Sequence, residues 1–254
     1  MPARKNRLNE IKQNKHGTLM KIIKDINYDD IYVQFLDENE AIVHTGYHSF
    51  KNGTVANPYY PSVYGVGFLG QGNYVAVENK KMTKAYSYWK AMMCRCYCEA
   101  TKKHTSAYLD IGVCKEWHNY QIFAEWFENN YYEVGKERMC LDKDIVGKHN
   151  HIYSPETCIF VPQKINGLFV FGSSSYTDLP VGVYYDSSRN KYVAQYGSDA
   201  SVKRIGQADS PHEAFLMYKE AKEKQIKEIT QIYKSKIPEY VYDVLIDYEV
   251  DEYY

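Results

Sequence analysis

Short β-prone runs, rich in apolar residues, follow Thr18 and predict a small β-rich domain. These runs are residues 19–23, 31–35 and 41–44, with acidic turns at 27–30 and 37–40 between them. From residue 46 to residue 72, Gly, Asn and Pro recur at short intervals, which is typical of tight connections between strands. This spacing favours a small barrel or curled sheet over residues 17–79.

Two later stretches change to a helical period. The first, residues 81–99, places Met92 and Cys96 along one side. The second, residues 120–130, carries an apolar stripe that includes Phe127. We expect both apolar faces to pack into a core.

Residues 139–166 predict a strand, a polar loop, a second strand and a helix in one compact unit. The parts are the strand 141–145, the loop 147–151, the returning strand 158–161 and a helix from Gln163 onward. Asp142 lies toward the polar end of the first strand, and the helical period turns Asn166 back onto the hairpin. Carboxylate and amide oxygens suit a hard cation such as Mg²⁺, which keeps several waters and takes phosphate oxygens. Asp142 and Asn166 are therefore candidate metal ligands.

A different module follows the small, polar stretch at residues 172–179, which is predicted to be a linker. Its strands are predicted at residues 181–185, 191–196 and 203–206, in a meander. Ser210 is a capping residue, with Pro211 at the first helical position and Glu213 at the third. This combination is a strong start signal for a helix that continues to Tyr233.

The net charge of the whole chain does not indicate nucleic-acid binding. The 254 residues include 31 Lys and Arg against 32 Asp and Glu, so local charge must decide. Residues 1–16 are predicted to be a flexible basic arm, and residues 237–254 an extension with an acidic tail. Two interpretations of the basic arm stay open: it follows the phosphates of a nucleic acid, or it is a disordered tail. The 27 tyrosines also allow two interpretations: stacking on nucleic-acid bases, or ordinary half-buried positions in strands.

The apolar runs are too short to span a bilayer, and the chain begins without the apolar core of a signal peptide. We therefore expect a cytoplasmic protein without a membrane partner. Six cysteines at uneven spacing then predict free thiols rather than disulfides. Cys94, Cys96 and Cys98 lack the C-x-x-C spacing of a zinc knuckle, so core packing is favoured over a structural zinc.

The residues from Trp89 to Asn166 resemble the HNH-type, homing-like endonucleases found in phages, which are built on a ββα-metal core. The matching residues are Trp89, Met92, Arg95-Cys96-Tyr97, Ile111 to Trp117, Phe123 to Trp126, and Leu141 to Ile145. The resemblance implies an HNH-like core over residues 80–171, a role inside a phage-infected bacterium, and phosphodiester hydrolysis with one Mg²⁺ or Mn²⁺. It also implies that Asp142 corresponds to the family's metal-binding Asp, and that Asn166 corresponds to the helix residue that completes the metal site.

Lys143 departs from that pattern, because active members carry at this position the His that deprotonates the attacking water. A lysine side chain is protonated at neutral pH and acts as a base only when burial removes its charge. His149 and His151, in the predicted hairpin loop, are the candidate substitutes. The alternative is that both are solvated loop residues. The catalytic candidates are therefore Lys143, His149 and His151.

The carboxyl module, residues 180–236, resembles the apetala-two (ethylene-response-factor) DNA-binding domain. The matching residues are Gly182-Val183-Tyr184, Lys191 to Ala194, Arg204-Ile205-Gly206 and Asp209 to Tyr218. In that family the three-stranded sheet lies in the major groove, where guanidinium and amide groups pair with base edges. The resemblance implies DNA contacts from Arg189, Lys191, Tyr192, Gln195, Lys203 and Arg204. For Lys191 and Lys203, a solvated strand face is the alternative.

Taken together, the patterns and resemblances predict an α+β protein that binds double-stranded DNA. Its parts are a small N-terminal β domain, an HNH-like ββα-metal core, and a C-terminal three-stranded sheet plus helix. The expected function is a metal-dependent DNA endonuclease. The alternatives are a catalytically inactive HNH-fold protein that regulates through DNA binding, and an anti-defence protein that docks on a host defence protein.

Overall fold

The computed structural model describes residues 6–104, 110–169, 179–197 and 202–253. Helices and strands are mixed along the chain, as the predicted α+β class requires. The chain forms two compact units, residues 1–129 and residues 130–254. The boundary between them lies inside the predicted core of residues 80–171, so the structure divides the chain differently from the predicted modules. Except for Leu179, the predicted linker lies outside the described residues.

The first unit opens with a four-stranded antiparallel sheet whose strands follow one another in chain order. The strands are β1 (Ile11–Gln13), β2 (Leu19–Asp25), β3 (Ile31–Phe35) and β4 (Ile42–Thr45). Alternate residues of β2 and β3 are buried in one core, which includes Ile22 and Val33. Phe50, on helix α1 (Tyr47–Lys51), is part of the same core. The strands predicted from residue 19 to residue 44 are confirmed.

The predicted flexible arm of residues 1–16 is wrong for its second half. Ile11–Gln13 pairs with β2 as an edge strand. Arg7 lies 4.6 Å from the ring centre of Tyr47, and its guanidinium is 3.4 Å from the Asp25 carboxylate. All side chains of β1 are exposed, so this strand has no apolar alternation that a sequence pattern could reveal.

The rest of the first unit is mainly helical. Its elements are β5 (Val77–Glu78), β6 (Lys81–Met82), α2 (Lys84–Tyr97), α3 (Glu99–His104), β7 (Gly112–Val113), a 3₁₀ turn (Glu116–His118) and α4 (Tyr120–Asn130). Trp89 of α2 is fully buried and donates from Nε1 to the carbonyl of Trp117 at 2.7 Å. A Cβ on Gly67 would be 2.8 Å from the Trp89 ring. The chain that follows the sheet therefore packs directly on α2 within the first unit.

The second unit contains a hairpin followed directly by a short helix. Its elements are β8 (Met139–Asp142), β9 (Ile152–Tyr153), β10 (Ile159–Pro162) and α5 (Gln163–Asn166). Strands β8 and β10 are antiparallel, with Asp142 opposite Ile159. The first strand ends at Asp142 rather than at the predicted Ile145, because the Asp142 side chain binds the backbone of the turn that follows. Helix α5 packs against both strands.

A three-stranded antiparallel sheet and a long helix follow, as the sequence predicts. They are β11 (Val183–Asp186), β12 (Lys191–Tyr196), β13 (Lys203–Ala208) and α6 (Pro211–Tyr233). The Ser210 side chain accepts a hydrogen bond from the Glu213 backbone at 3.2 Å, which confirms the predicted helix start. Helix α6 packs on all three strands. A Cβ on Gly182 would be 2.1 Å from the Tyr218 ring, so the sheet and the helix are in close contact.

Residues 237–253 continue the fold of this unit. Helix α7 (Glu239–Ile246) buries Val241 and Leu245. Tyr248 and Val250 are also buried. The predicted acidic tail is wrong as a free tail, because the Asp251 and Glu252 carboxylates contact Lys148 and His212. Among the described residues, none of the helices combines the length and the apolar character needed to cross a membrane.

Candidate functional site

Asp142 lies at the end of β8 and is fixed by the turn that follows. Its Oδ1 accepts hydrogen bonds from the backbone N–H groups of Asp144, at 2.8 Å, and Ile145, at 2.9 Å. Burial raises the pKa of the Asp142 carboxyl, and the two backbone donors oppose this rise. Both donors bind the same oxygen, so coordination of a cation through Oδ2 is compatible with the turn.

Asn166 is the last residue of α5, which packs against β8 and β10. Its Oδ1 is buried and, within the described part of the chain, has no hydrogen-bond partner. A buried acceptor without a partner costs about 1–3 kcal/mol, so it needs an explanation. An amide oxygen is a ligand type that Mg²⁺ and Mn²⁺ accept, and a bound cation would remove this cost. The oxygen types of Asp142 and Asn166 are therefore ones that a hard divalent cation accepts.

The protein supplies few ligands to such a cation. The described residues contain no group of three or more His, Cys, Asp or Glu side chains placed to hold a metal ion. A cation held by Asp142 and Asn166 would take most of its ligands from water and phosphate oxygens, which is the habit of Mg²⁺. These two residues would hold the cation only in combination with a substrate that brings phosphate.

Lys143 is buried, with only 4% of its surface exposed. Its Nζ donates to the Asp144 carboxylate and to the Asn150 carbonyl, the latter at 2.9 Å. It also lies 5.9 Å from the ring centre of Tyr153. An ammonium group whose hydrogens bind a carboxylate and a carbonyl offers no electron pair to a water proton. In this arrangement Lys143 braces the hairpin loop.

The histidines of the loop lie near its exposed side. His149 adopts a left-handed backbone conformation, with φ at 58°, and its Nε2 is 3.3 Å from an Asp251 carboxylate oxygen. His151 is exposed, two residues further along the loop. Asn150, between them, accepts the Lys143 hydrogen bond through its carbonyl. The loop thus presents imidazole groups on a backbone that Lys143 holds in place.

Two of the predicted DNA contacts converge on one carboxylate. In the three-stranded sheet, the Arg189 guanidinium is 3.7 Å from Asp186, and the Arg204 guanidinium is 3.9 Å from the same residue. A hydrogen bond from the Ser188 hydroxyl, together with these guanidinium groups, lowers the pKa of the Asp186 carboxyl. Asp186 therefore stays ionised and orients two arginines on the sheet.

The other predicted contacts lie on β12 and β13. Lys191 donates to the Asp209 carboxylate, and Lys203 lies 5.7 Å from the ring centre of Tyr196. Tyr192 and Tyr185 have their ring centres 5.1 Å apart. Gln195 is half-buried and paired with Arg204 across the two strands. The structure thus brings all six predicted residues to one sheet, where internal carboxylates already bind three of the cations.

Comparison of the chain with protein-family models, with curated proteins and with solved structures found no match. The candidate functions therefore rest on the geometry of the chain and on the resemblance of its motifs.

Two residues of the hairpin region were missed by sequence reasoning. Asn150 closes the loop through its backbone carbonyl, which carries no residue-specific signal. Asp251 reaches the loop from the far end of the chain, at a separation of 103 residues from Lys148. A contact of that range leaves no local periodicity in the sequence.

Proposed function

We propose that this protein is a DNA-binding endonuclease of the HNH type, which hydrolyses phosphodiester bonds with one divalent cation. The observation that carries the proposal is the compact unit of residues 139–166. In this unit Asp142 ends a strand, and Asn166 has a buried amide oxygen without a partner among the described residues. The order of elements and both residue types are those that the endonuclease resemblance implies.

Each side chain has a separate role in this proposal. Asp142 provides a carboxylate oriented by two backbone amides, and Asn166 provides a neutral oxygen. When bound, Mg²⁺ or Mn²⁺ stabilises the charge that develops on the phosphoryl and leaving oxygens. The proton of the attacking water passes to the imidazole of His151 in the loop, because Lys143 is engaged with its two acceptors and His149 with the Asp251 carboxylate.

The three-stranded sheet provides the duplex-binding surface. Arg189 and Arg204 place guanidinium groups 3.7 Å and 3.9 Å from Asp186, and Lys203 precedes Arg204 at the start of β13. Guanidinium groups form paired hydrogen bonds with guanine edges and with phosphates. Binding to DNA requires these arginines to exchange part of their contact with Asp186 for contacts with the duplex.

Plasmid nicking tests this function. Supercoiled plasmid is incubated with the full chain and Mg²⁺ or Mn²⁺, and the open-circular product is measured. We expect nicking that disappears in Asp142→Ala and persists in Asp243→Ala, which removes an exposed carboxylate from α7. Absence of nicking by the wild-type protein with either metal, at neutral and alkaline pH, would contradict the nuclease function.

A second function, DNA binding without cleavage, is favoured by Lys143. This residue occupies the position of the family's general base, yet it is buried and bound to Asp144 and Asn150. In this case the hairpin and helix are a structural part of a DNA-binding regulator. The test is binding to a short duplex over a range of salt concentrations, since released counterions make the affinity fall steeply with salt. Salt-dependent binding with no nicking supports this second function.

A further inference from the structure

The C-terminal segment, residues 247–253, lies against the hairpin loop. The Lys148 Nζ donates to the Glu249 carbonyl at 2.6 Å and is 3.3 Å from Oδ1 of Asp251. The other carboxylate oxygen of Asp251 is 3.3 Å from Nε2 of His149. One carboxylate of the C-terminal segment therefore bridges two adjacent basic side chains of the loop.

The next residue of the segment reaches the sheet-and-helix part of the same unit. Oε1 of Glu252 is 3.1 Å from Nδ1 of His212, in the first turn of α6. The Glu252 carbonyl accepts a hydrogen bond from the Val181 backbone at 3.0 Å, just before β11. Asp251 and Glu252 thus bind basic side chains of the hairpin loop and of helix α6, which packs on the sheet that the proposed function assigns to DNA.

Other residues anchor the segment. Tyr248 and Val250 are buried, with 5% and 2% of their surfaces exposed. The Val250 backbone accepts from Lys219 at 3.1 Å and donates to Glu223 at 2.9 Å. The carboxylates of the segment are more accessible, because the side chains of Asp251 and Glu252 are 38% and 28% exposed. The carboxylates can therefore release their partners while the anchors stay in place.

We propose that Lys148, His149 and His212 form a phosphate-binding surface, here called the basic rim, which Asp251 and Glu252 occupy until nucleic acid displaces them. The nature of the ligand rests on the proposed function. A carboxylate and a phosphate make the same kind of charge-assisted hydrogen bond with ammonium and imidazolium groups. Because the segment belongs to the same chain, it competes at a high effective concentration. It thereby weakens binding to non-specific DNA.

The test compares two double variants that remove the same formal charge from the same segment. Asp251→Asn with Glu252→Gln removes the carboxylates that touch the basic rim and keeps their shapes. Asp247→Asn with Glu249→Gln removes two exposed carboxylates, and it is the matched control. For each protein, affinity for a short duplex is measured at several salt concentrations, and affinity for inorganic tripolyphosphate is measured by calorimetry.

We expect the double variant Asp251→Asn with Glu252→Gln, here called the rim variant, to bind duplex at least about fivefold more tightly than the control. The slope of log affinity against log salt concentration should be steeper by about one to two, because the rim variant neutralises one or two more phosphates. Tripolyphosphate should also bind the rim variant more tightly. Equal affinities of the two variants for both ligands would overturn the inference. If tripolyphosphate distinguishes the variants but no variant binds duplex, the basic rim stands and the proposed DNA function fails. If duplex binds both variants equally, the DNA function stands and the inference fails.

Discussion

The Lys143 ammonium and the Asn150 backbone carbonyl are 2.9 Å apart, and this hydrogen bond joins the two ends of the hairpin loop. The same ammonium binds the Asp144 carboxylate beside the end of β8. Lys143 is buried, so its charge is stabilised inside the protein by these two acceptors. The residue that departs from the endonuclease pattern is thus the one that holds the loop in place.

Replacing Lys143 by Met is expected to destabilise the protein by about 1–3 kcal/mol, because the Asn150 carbonyl and the Asp144 carboxylate lose a charged donor. The measurement is urea unfolding followed by circular dichroism. Lys164→Met, which removes an exposed charge from α5, should change the free energy of unfolding by less than about 0.5 kcal/mol. Equal effects of the two substitutions would show that the loop does not depend on Lys143.

Replacing Lys143 by His is expected to increase metal-dependent plasmid nicking by about tenfold or more, because an imidazole supplies the general base at this position. The rate of open-circular product formation is compared with that of the wild type at equal metal concentration. Nicking gained in this variant must disappear when Asp142→Ala is added. A variant that folds but nicks no faster than the wild type would contradict the assignment of this position.

Gly182 is expected to be intolerant of a side chain. Its φ is 74°, and a Cβ would lie 2.1 Å from the Tyr218 ring, which is itself buried. Gly182→Ala should therefore destabilise the protein by about 3 kcal/mol or more, through strain and forced movement of α6. Gly135→Ala is the matched control, because Gly135 has a φ of 55° and open space around it. The control should cost only about 1 kcal/mol. Similar midpoints of urea unfolding for the two variants would be the contrary result.

Lys222 is a buried cation on α6, and burial lowers the pKa of its ammonium group. The folded state therefore binds this proton less well than the unfolded state, and the charged form reduces stability at neutral pH. Lys222→Met should raise the free energy of unfolding by about 1 kcal/mol near pH 7, net of the lost contact with Tyr196.

The gain from Lys222→Met should shrink as the pH rises through the lowered pKa of Lys222 toward that of unfolded lysine, because the wild-type side chain then loses its charge. Unfolding in urea at neutral and alkaline pH measures the difference. Lys227→Met, at an exposed position of the same helix, should show no such pH dependence. A gain that stays constant with pH would contradict the electrostatic explanation.

Much of the local structure was predictable, because it depends on neighbours in sequence. Met20 and Ile22 lie two residues apart in a β-prone run, so they share one face of a strand and one core, and Ser210 with Glu213 sets the start of α6. Helix α4 has the predicted bounds, since Phe123 and Phe127 are one turn apart and both buried.

The features that could not be predicted depend on distant partners. β1 is exposed on both faces, so only its pairing with β2 makes it a strand. The strand β8 ends early because Asp142 binds its own turn. The candidate site likewise contains both features set by local sequence and features set by distant partners. Asp142 and Asn166 follow from local pattern and resemblance, whereas the contact between Lys148 and Asp251 joins residues 103 apart in sequence.

The most direct test of the account is a calorimetric titration of the metal-free protein with Mn²⁺, carried out on the wild type, Asp142→Ala and Asn166→Ala. We predict one Mn²⁺ bound per wild-type chain, and an affinity at least about tenfold weaker in each variant, because each variant removes one of the two protein oxygens. Asp243→Ala should bind as the wild type does. Absence of Mn²⁺ binding by the wild type, or equal binding by Asp142→Ala, would contradict the claim that the hairpin and helix hold a divalent cation.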